Sequence, residues 1–173
     1  MVIHELAVLA LAATLVWAAV SDALWFRIPN AIPLTILTLF PLAAVSGGQS
    51  LETALWSLLV ATGVFSVGFL LFWRGALGGG DVKLLSALAL WAGPKYILSL
   101  VLVIALAGGA LALAALLVRR SPYLSLASIN LRMALARSVP AETGKNGGTL
   151  PYGIAIAAGG LLLCLQLFRQ VAA

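Results

Sequence analysis

The sequence predicts an all-α, polytopic membrane protein with about six transmembrane helices, the fourth of them short, and a cytoplasmic amphipathic helix beside them. Three observations lead there. Of the 173 residues, 63% are hydrophobic and only 9% are charged; the mean hydropathy is +1.14. No water-soluble domain of this length could hide that balance in one core, so the solvent is lipid. The stretch from Tyr96 to Val118 carries no charge at all and exceeds the roughly 20 residues that span hydrocarbon. Lys and Arg, 10 in number, outnumber the 5 Asp and Glu, but they stand at the ends of apolar runs. They form no basic stripe, so they act as topology signals and predict no nucleic-acid partner.

Taken in order, the apolar runs are Leu6 to Leu24, Ala31 to Val45, Leu51 to Trp73, Val82 to Gly93, Tyr96 to Val118 and Pro151 to Phe168. The first is expected to be a permanent span and not a cleaved signal, because Met1 to Glu5 hold no Lys or Arg and the run continues to Trp25. The fourth would rise only about 18 Å as a helix, against roughly 30 Å of hydrocarbon. Charge arbitrates whether it crosses. With six spans and the N-terminus outside, Arg27, Arg74, Lys83, Arg119, Arg120, Arg132, Arg137 and Lys145 lie inside, and only Lys95 and Arg169 lie outside. With five spans that asymmetry vanishes, contrary to the tendency of Lys and Arg to stay in the cytoplasm. A short helix after a glycine cluster implies local thinning or water entering from the inner face, in effect a wet pocket near Gly78 to Asp81.

Between the fifth and sixth runs, residues 119–150 form the cytoplasmic amphipathic segment and a loop. Leu124, Leu131, Leu135 and Val139 recur at helical spacing, with Ser128, Arg132 and Arg137 between them. Pro140 and Gly144 to Gly148 then make a flexible approach to the last span. The pairs Gly108-Gly109 and Gly159-Gly160 read as close-packing positions. No internal repeat divides the chain, so residues 1–173 are expected to form one membrane-embedded domain.

Of the acids, Glu5, Glu52 and Glu142 fall at span ends or in a loop, whereas Asp22 lies inside the inner end of the first span and Asp81 follows three glycines. Acids at membrane depth mark functional sites. Each has a plain structural alternative: an interfacial pair between Asp22 and Arg27, and an N-cap at Asp81. Two acids at the same depth on the same face look like a pair, and two carboxyls brought to about 3 Å share a proton, one serving as base on water while the other donates to a carbonyl. That chemistry needs no cofactor. With the single Cys164 in an apolar run and the single His4 near the start, no disulfide or zinc site is expected either. The run Gly78-Gly79-Gly80-Asp81 could be read as a phosphate loop, but no Gly-Lys-Ser/Thr follows. An ion-coupled transporter and a non-catalytic assembly subunit remain alternatives. The first lacks polar groups leading to the far face, and the second leaves both aspartates unexplained.

Gly78-Gly79-Gly80-Asp81 resembles the G-x-G-D signature of membrane aspartyl proteases, and Val82-Lys83-Leu84-Leu85 narrows the resemblance to prepilin peptidases. Asp22 with Arg27-Ile28-Pro29-Asn30 is similar to that family's first motif, and Leu150-Pro151-Tyr152-Gly153 to the start of its last helix. The resemblance implies cleavage of the short basic leader from prepilins at the cytoplasmic face of the bacterial inner membrane. It implies Asp22 and Asp81 as the catalytic pair, and Gly78 and Gly80 as shapers of the active-site loop. Lys83, Arg27, Asn30 and Pro151 are candidates for substrate binding or tuning of the pair. Larger members carry a cytoplasmic insert with paired Cys-x-x-Cys motifs and also methylate the product. Here only Trp25 to Asn30 separates the first two spans, so methyl transfer is not expected, and the compact form resembles the peptidases of tight-adherence pilus systems.

Overall fold

The computed structural model describes residues 2–120 and 152–172, and within them the regular structure is all helix, joined by short turns, with no strand. The elements are α1 (Val2–Trp25), α2 (Ala31–Ser46), α3 (Leu51–Trp73), α4 (Gly79–Arg120) and α5 (Tyr152–Ala172). Four of the five are long and apolar enough to cross a membrane, and α2 is a shorter apolar helix. The amphipathic helix expected over 119–150 lies essentially outside the described residues, as does Pro151.

The contacts give the direction of each helix. His4 Nδ1, at the start of α1, donates to the carbonyl of Ala43, near the end of α2, at 3.0 Å. At the other end, Ser21 Oγ donates to the Arg27 carbonyl across the connecting turn at 2.7 Å. The first two helices therefore form an antiparallel hairpin. Ser50 caps α3, its side chain accepting from Thr53 N at 3.2 Å, which ties up one of the unpaired amides of the first turn.

Helix α4 reverses direction at Gly93, whose φ of 53° and ψ of −169° are non-helical. The packing around it shows the reversal. Gly160 of α5 lies against Leu88 before the break, while Gly159 lies against Leu100 and Ile104 beyond it. Tyr152 meets Gly108, and Ser99 Oγ reaches Gln166 at 3.4 Å. Counting up α5 thus means counting up the first arm of α4 (79–92) but down the second (94–120). The two arms are antiparallel and joined at Gly93, the residue that ends the fourth apolar run of the sequence. The first arm rises only about 21 Å and remains short of the hydrocarbon thickness. It begins at Gly79, three residues ahead of the expected Val82, and its glycines let neighbours cover this end closely: Phe72 packs on Gly79 and Ile28 on Gly80.

Leu11, Leu15, Ile32, Ile36, Leu84, Leu88, Leu100, Ile156 and Leu163 fill the centre. The outward surface is no less apolar, with Leu98 81%, Leu106 66% and Leu59 62% exposed. A chain with leucine on both sides has lipid as its solvent. Burial of leucine against leucine then gains little over burial against lipid tails, so close approach at small residues and internal hydrogen bonds hold the helices together. Trp91 Nε1 is one such bond, donating to the Ile36 carbonyl at 2.9 Å in a buried position, with Phe40 edge-on to its ring at 6.0 Å.

Candidate active site

Asp22 occupies the last turn of α1, where it is 5% exposed. Phe26 follows the helix with a φ of 50°, a left-handed turn that is uncommon for a residue with a side chain. That turn sends the chain back toward α2. It also leaves Arg27 exposed, so Arg27 and Asp22 make no ion pair, and the interfacial pairing offered as an alternative reading does not form. Ser21 Oγ holds the Arg27 carbonyl instead.

Asp81 is half-buried in the first turn of α4. With the helix starting at Gly79, Asp81 is its third residue and not its N-cap, so the capping alternative also fails as stated. The carboxyl reaches back to the backbone of Gly78, the helix-start geometry in which a third-position acid satisfies the N-cap amide. A Cβ at Gly78 would come within 2.8 Å of Asp81 Oδ2. Gly80 has a different neighbour: its missing side chain would meet Ile28 Cβ at 3.1 Å. The two glycines thus have separate tasks, one giving room to the acid and the other letting α4 close on the turn after α1.

The two aspartates converge. Asp81 lies within direct Coulombic range of Asp22, although they come from different helices. The first turn of α5 completes the enclosure, with the backbone of Gly153 and Ile154 facing the Asp22 carboxyl. Even so, Asp22 Oδ2 is buried with no hydrogen-bond partner. A buried carboxylate oxygen left open in this way is costly unless something binds there. Sequence reasoning passed over Gly153 and Ile154 as site residues. The signal in the sequence is a glycine in the first turn of a span directly after Pro151 and Tyr152, which by itself marks only the beginning of a helix.

With this geometry in place, the comparison with protein families is decisive: the model of the type IV leader peptidase family matches residues 9–113. The chain belongs to the type IV leader peptidase family. It is therefore a membrane-embedded protease whose substrate is a protein, a prepilin. No curated protein and no solved structure matches the chain. The matched region contains both aspartates and the glycine run and ends before α5.

In this leader peptidase, Lys83 points away from the acids. Residues two apart on a helix are about 200° apart around it, so an Asp81 facing α1 and α5 leaves Lys83 facing α2 and α3. Its Nζ donates to Asn30 Oδ1 at 2.9 Å. Asn30, at the N-cap of α2, makes no side-chain capping bond: its backbone is already helical, with φ −61° and ψ −21°, where capping needs a non-helical residue. Both residues line an apolar groove of about 440 Å³ between α2, α3 and the first arm of α4, with Leu34, Leu37, Phe65 and Leu90 along it.

Proposed function

We propose that this leader peptidase is an aspartic endopeptidase that uses Asp22 and Asp81 as a dyad. Its substrates would be prepilins of the tight-adherence type, cut at the cytoplasmic face of the bacterial inner membrane to release a short basic leader. The observation that carries the reading is the convergence of two acids from separate helices, one of them with a buried, unpartnered oxygen. Isolated structural acids have no reason to meet in an apolar bundle, where each unpaired charge is expensive.

The chemistry follows from two carboxyls sharing one proton. The ionised carboxyl takes a proton from a water held between the pair, and the water oxygen adds to the scissile carbonyl carbon. The protonated carboxyl gives its proton to the carbonyl oxygen. When the tetrahedral diol collapses, a proton passes to the amide nitrogen and the C–N bond breaks. The leader leaves with a new carboxyl, the pilin with a new amine, and the dyad again holds one proton. Gly78 and Gly80 give the loop its close contacts. Lys83 and Asn30 act on the substrate side, since their bond to each other turns them from the dyad. The charge asymmetry of the loops supports an inward-facing site, and the short link between α1 and α2 supports a peptidase without methyl transfer.

The test is co-expression with a prepilin, following leader removal by gel shift. Wild type should cleave, while Asp22→Asn and Asp81→Asn, which keep size and hydrogen-bonding shape, should accumulate full-length precursor at normal membrane abundance. Normal cleavage by either variant rules out the dyad.

A further inference from the structure

The family match stops at residue 113, so it assigns nothing to α5, yet the first turn of that helix packs directly against the Asp22 carboxyl. A Cβ at Gly153 would stand 2.8 Å from both Cγ and Oδ2 of Asp22 and 2.9 Å from Ile28 Cδ1. Real side chains do not approach so closely, so any residue but glycine must move one of its neighbours. Helix α5 itself has little room to retreat. Tyr152 fills the space over Gly108, where a Cβ would be 2.6 Å from the ring. A turn or two further on, Gly159 lies against Ile104, and Gly160 against Leu15 of α1 and Leu88 of α4. The helix is gripped on several sides, and one of those contacts is to the helix that carries Asp22. The part left to give way is the Asp22 carboxyl, since of its two oxygens Oδ2, the one nearest Gly153, makes no hydrogen bond.

We propose that Gly153 is a positioning residue for the catalytic pair: its missing side chain lets the N-terminal turn of α5 lie against Asp22 and hold that carboxyl toward Asp81. The inference rests on the dyad reading above. The amides of Gly153 and Ile154 face the carboxyl, and the positive end of the helix lies at the same place. A glycine is required there for the same reason that backbone must approach a reacting group directly. Displacing a reacting group by several tenths of an ångström costs up to about 100-fold in rate when the rest of the site is intact.

The experiment measures kcat, KM and the pH profile of prepilin cleavage by purified protein in lipid nanodiscs. Gly153→Ala is expected to lower kcat by roughly 10- to 100-fold with KM changed by less than about threefold, and to shift the pH profile of the remaining activity. Gly159→Ala disturbs the packing of α5 against Ile104 away from the acids. It should leave the pH profile unmoved. Adding Ile28→Val to Gly153→Ala removes only the collision with Ile28 and should not restore kcat. Full activity in Gly153→Ala, an unmoved pH profile, or rescue by Ile28→Val would each overturn the proposal. A thermal measurement covers the case in which Gly153→Ala folds poorly. The drop in Tm it causes should shrink by half or more in an Asp22→Ala background, where the colliding carboxyl is gone, and an undiminished drop also refutes the idea. If Asp22→Asn cleaves normally, it is the dyad that fails. If Asp22→Asn is inactive while Gly153→Ala is unimpaired, only the role of Gly153 falls.

Discussion

Gly93→Ala is the sharpest test of the architecture, because the antiparallel course of α4 depends on that one residue. Its φ of 53° and ψ of −169° belong to a region that is essentially restricted to glycine, and holding another residue there costs about 1–3 kcal/mol. A second cost is steric. The new Cβ would lie 2.6 Å from Ser57 Oγ, while the Cβ of Ser57 is 3.7 Å away, an ordinary contact. Overpacking of this kind adds roughly 1–3 kcal/mol, so the sum for Gly93→Ala is about 2–6 kcal/mol. The two parts separate cleanly. Ser57→Ala removes the offending oxygen and loses only a bond from Ser57 Oγ to the Thr53 carbonyl at 3.0 Å within its own helix, so by itself it should cost under about 1 kcal/mol. Combined with Gly93→Ala it should recover the steric share and leave the backbone share of about 1–3 kcal/mol. Reversible unfolding in mixed micelles of the two single variants and the double variant supplies the cycle. Should Gly93→Ala match wild type in stability, the chain does not reverse at residue 93, and the expectation of separate fourth and fifth spans goes with it.

Two further outcomes concern the site itself. Gly78→Ala puts a Cβ 2.8 Å from Asp81 Oδ2, so the carboxyl must move by about half an ångström. The prepilin gel-shift assay should then show cleavage slowed by roughly 10-fold or more at unchanged membrane abundance. Asn30→Ala breaks an exposed hydrogen bond to Lys83 and should change stability by less than about 1 kcal/mol. Its effect on cleavage should appear in KM with kcat preserved, and a fall in kcat alone would return Lys83 and Asn30 to the dyad.

The site was legible in the sequence as far as local chemistry reaches. Asp22 and Asp81 stand out because an acid in an apolar helix is conspicuous whatever surrounds it, and the glycines before Asp81 announce close backbone contact. The break between the two arms of α4 was legible for a related reason, since Gly93-Pro94-Lys95 interrupts the apolar run with a flexible residue, a rigid one and a charge. Details that depend on where a helix starts came out differently. Asp81 is the third residue of its helix, which begins at Gly79 where Phe72 and Ile28 lie close over Gly79 and Gly80, and Ile28 belongs to a distant part of the sequence. The pairing of Arg27 with Asp22 failed over the one left-handed residue, Phe26, which no propensity would predict.

Gly153 shows most clearly why the remainder was hidden. In sequence the resemblance of Leu150-Pro151-Tyr152-Gly153 to the start of a family helix marks where Gly153 stands but gives it no task that sets it apart from Gly159 or Gly160, which serve packing. What separates it is the identity of the atom opposite: Gly159 faces Ile104 and Gly160 faces Leu15 and Leu88, whereas Gly153 faces the carboxyl of Asp22. Small residues let helices approach in lipid wherever they occur. Approach becomes function only where the partner is an acid with an unpaired oxygen. That property belongs to the juxtaposition of α1 and α5, and a single chain read residue by residue carries no record of it. The same reasoning places Gly78, which faces the other aspartate, with Gly153 and sets Gly80, which faces Ile28, apart from both. A glycine at each carboxyl, one in the loop just before α4 and one in the first turn of α5, leaves the two acids free of side-chain obstruction on the sides where backbone closes over them.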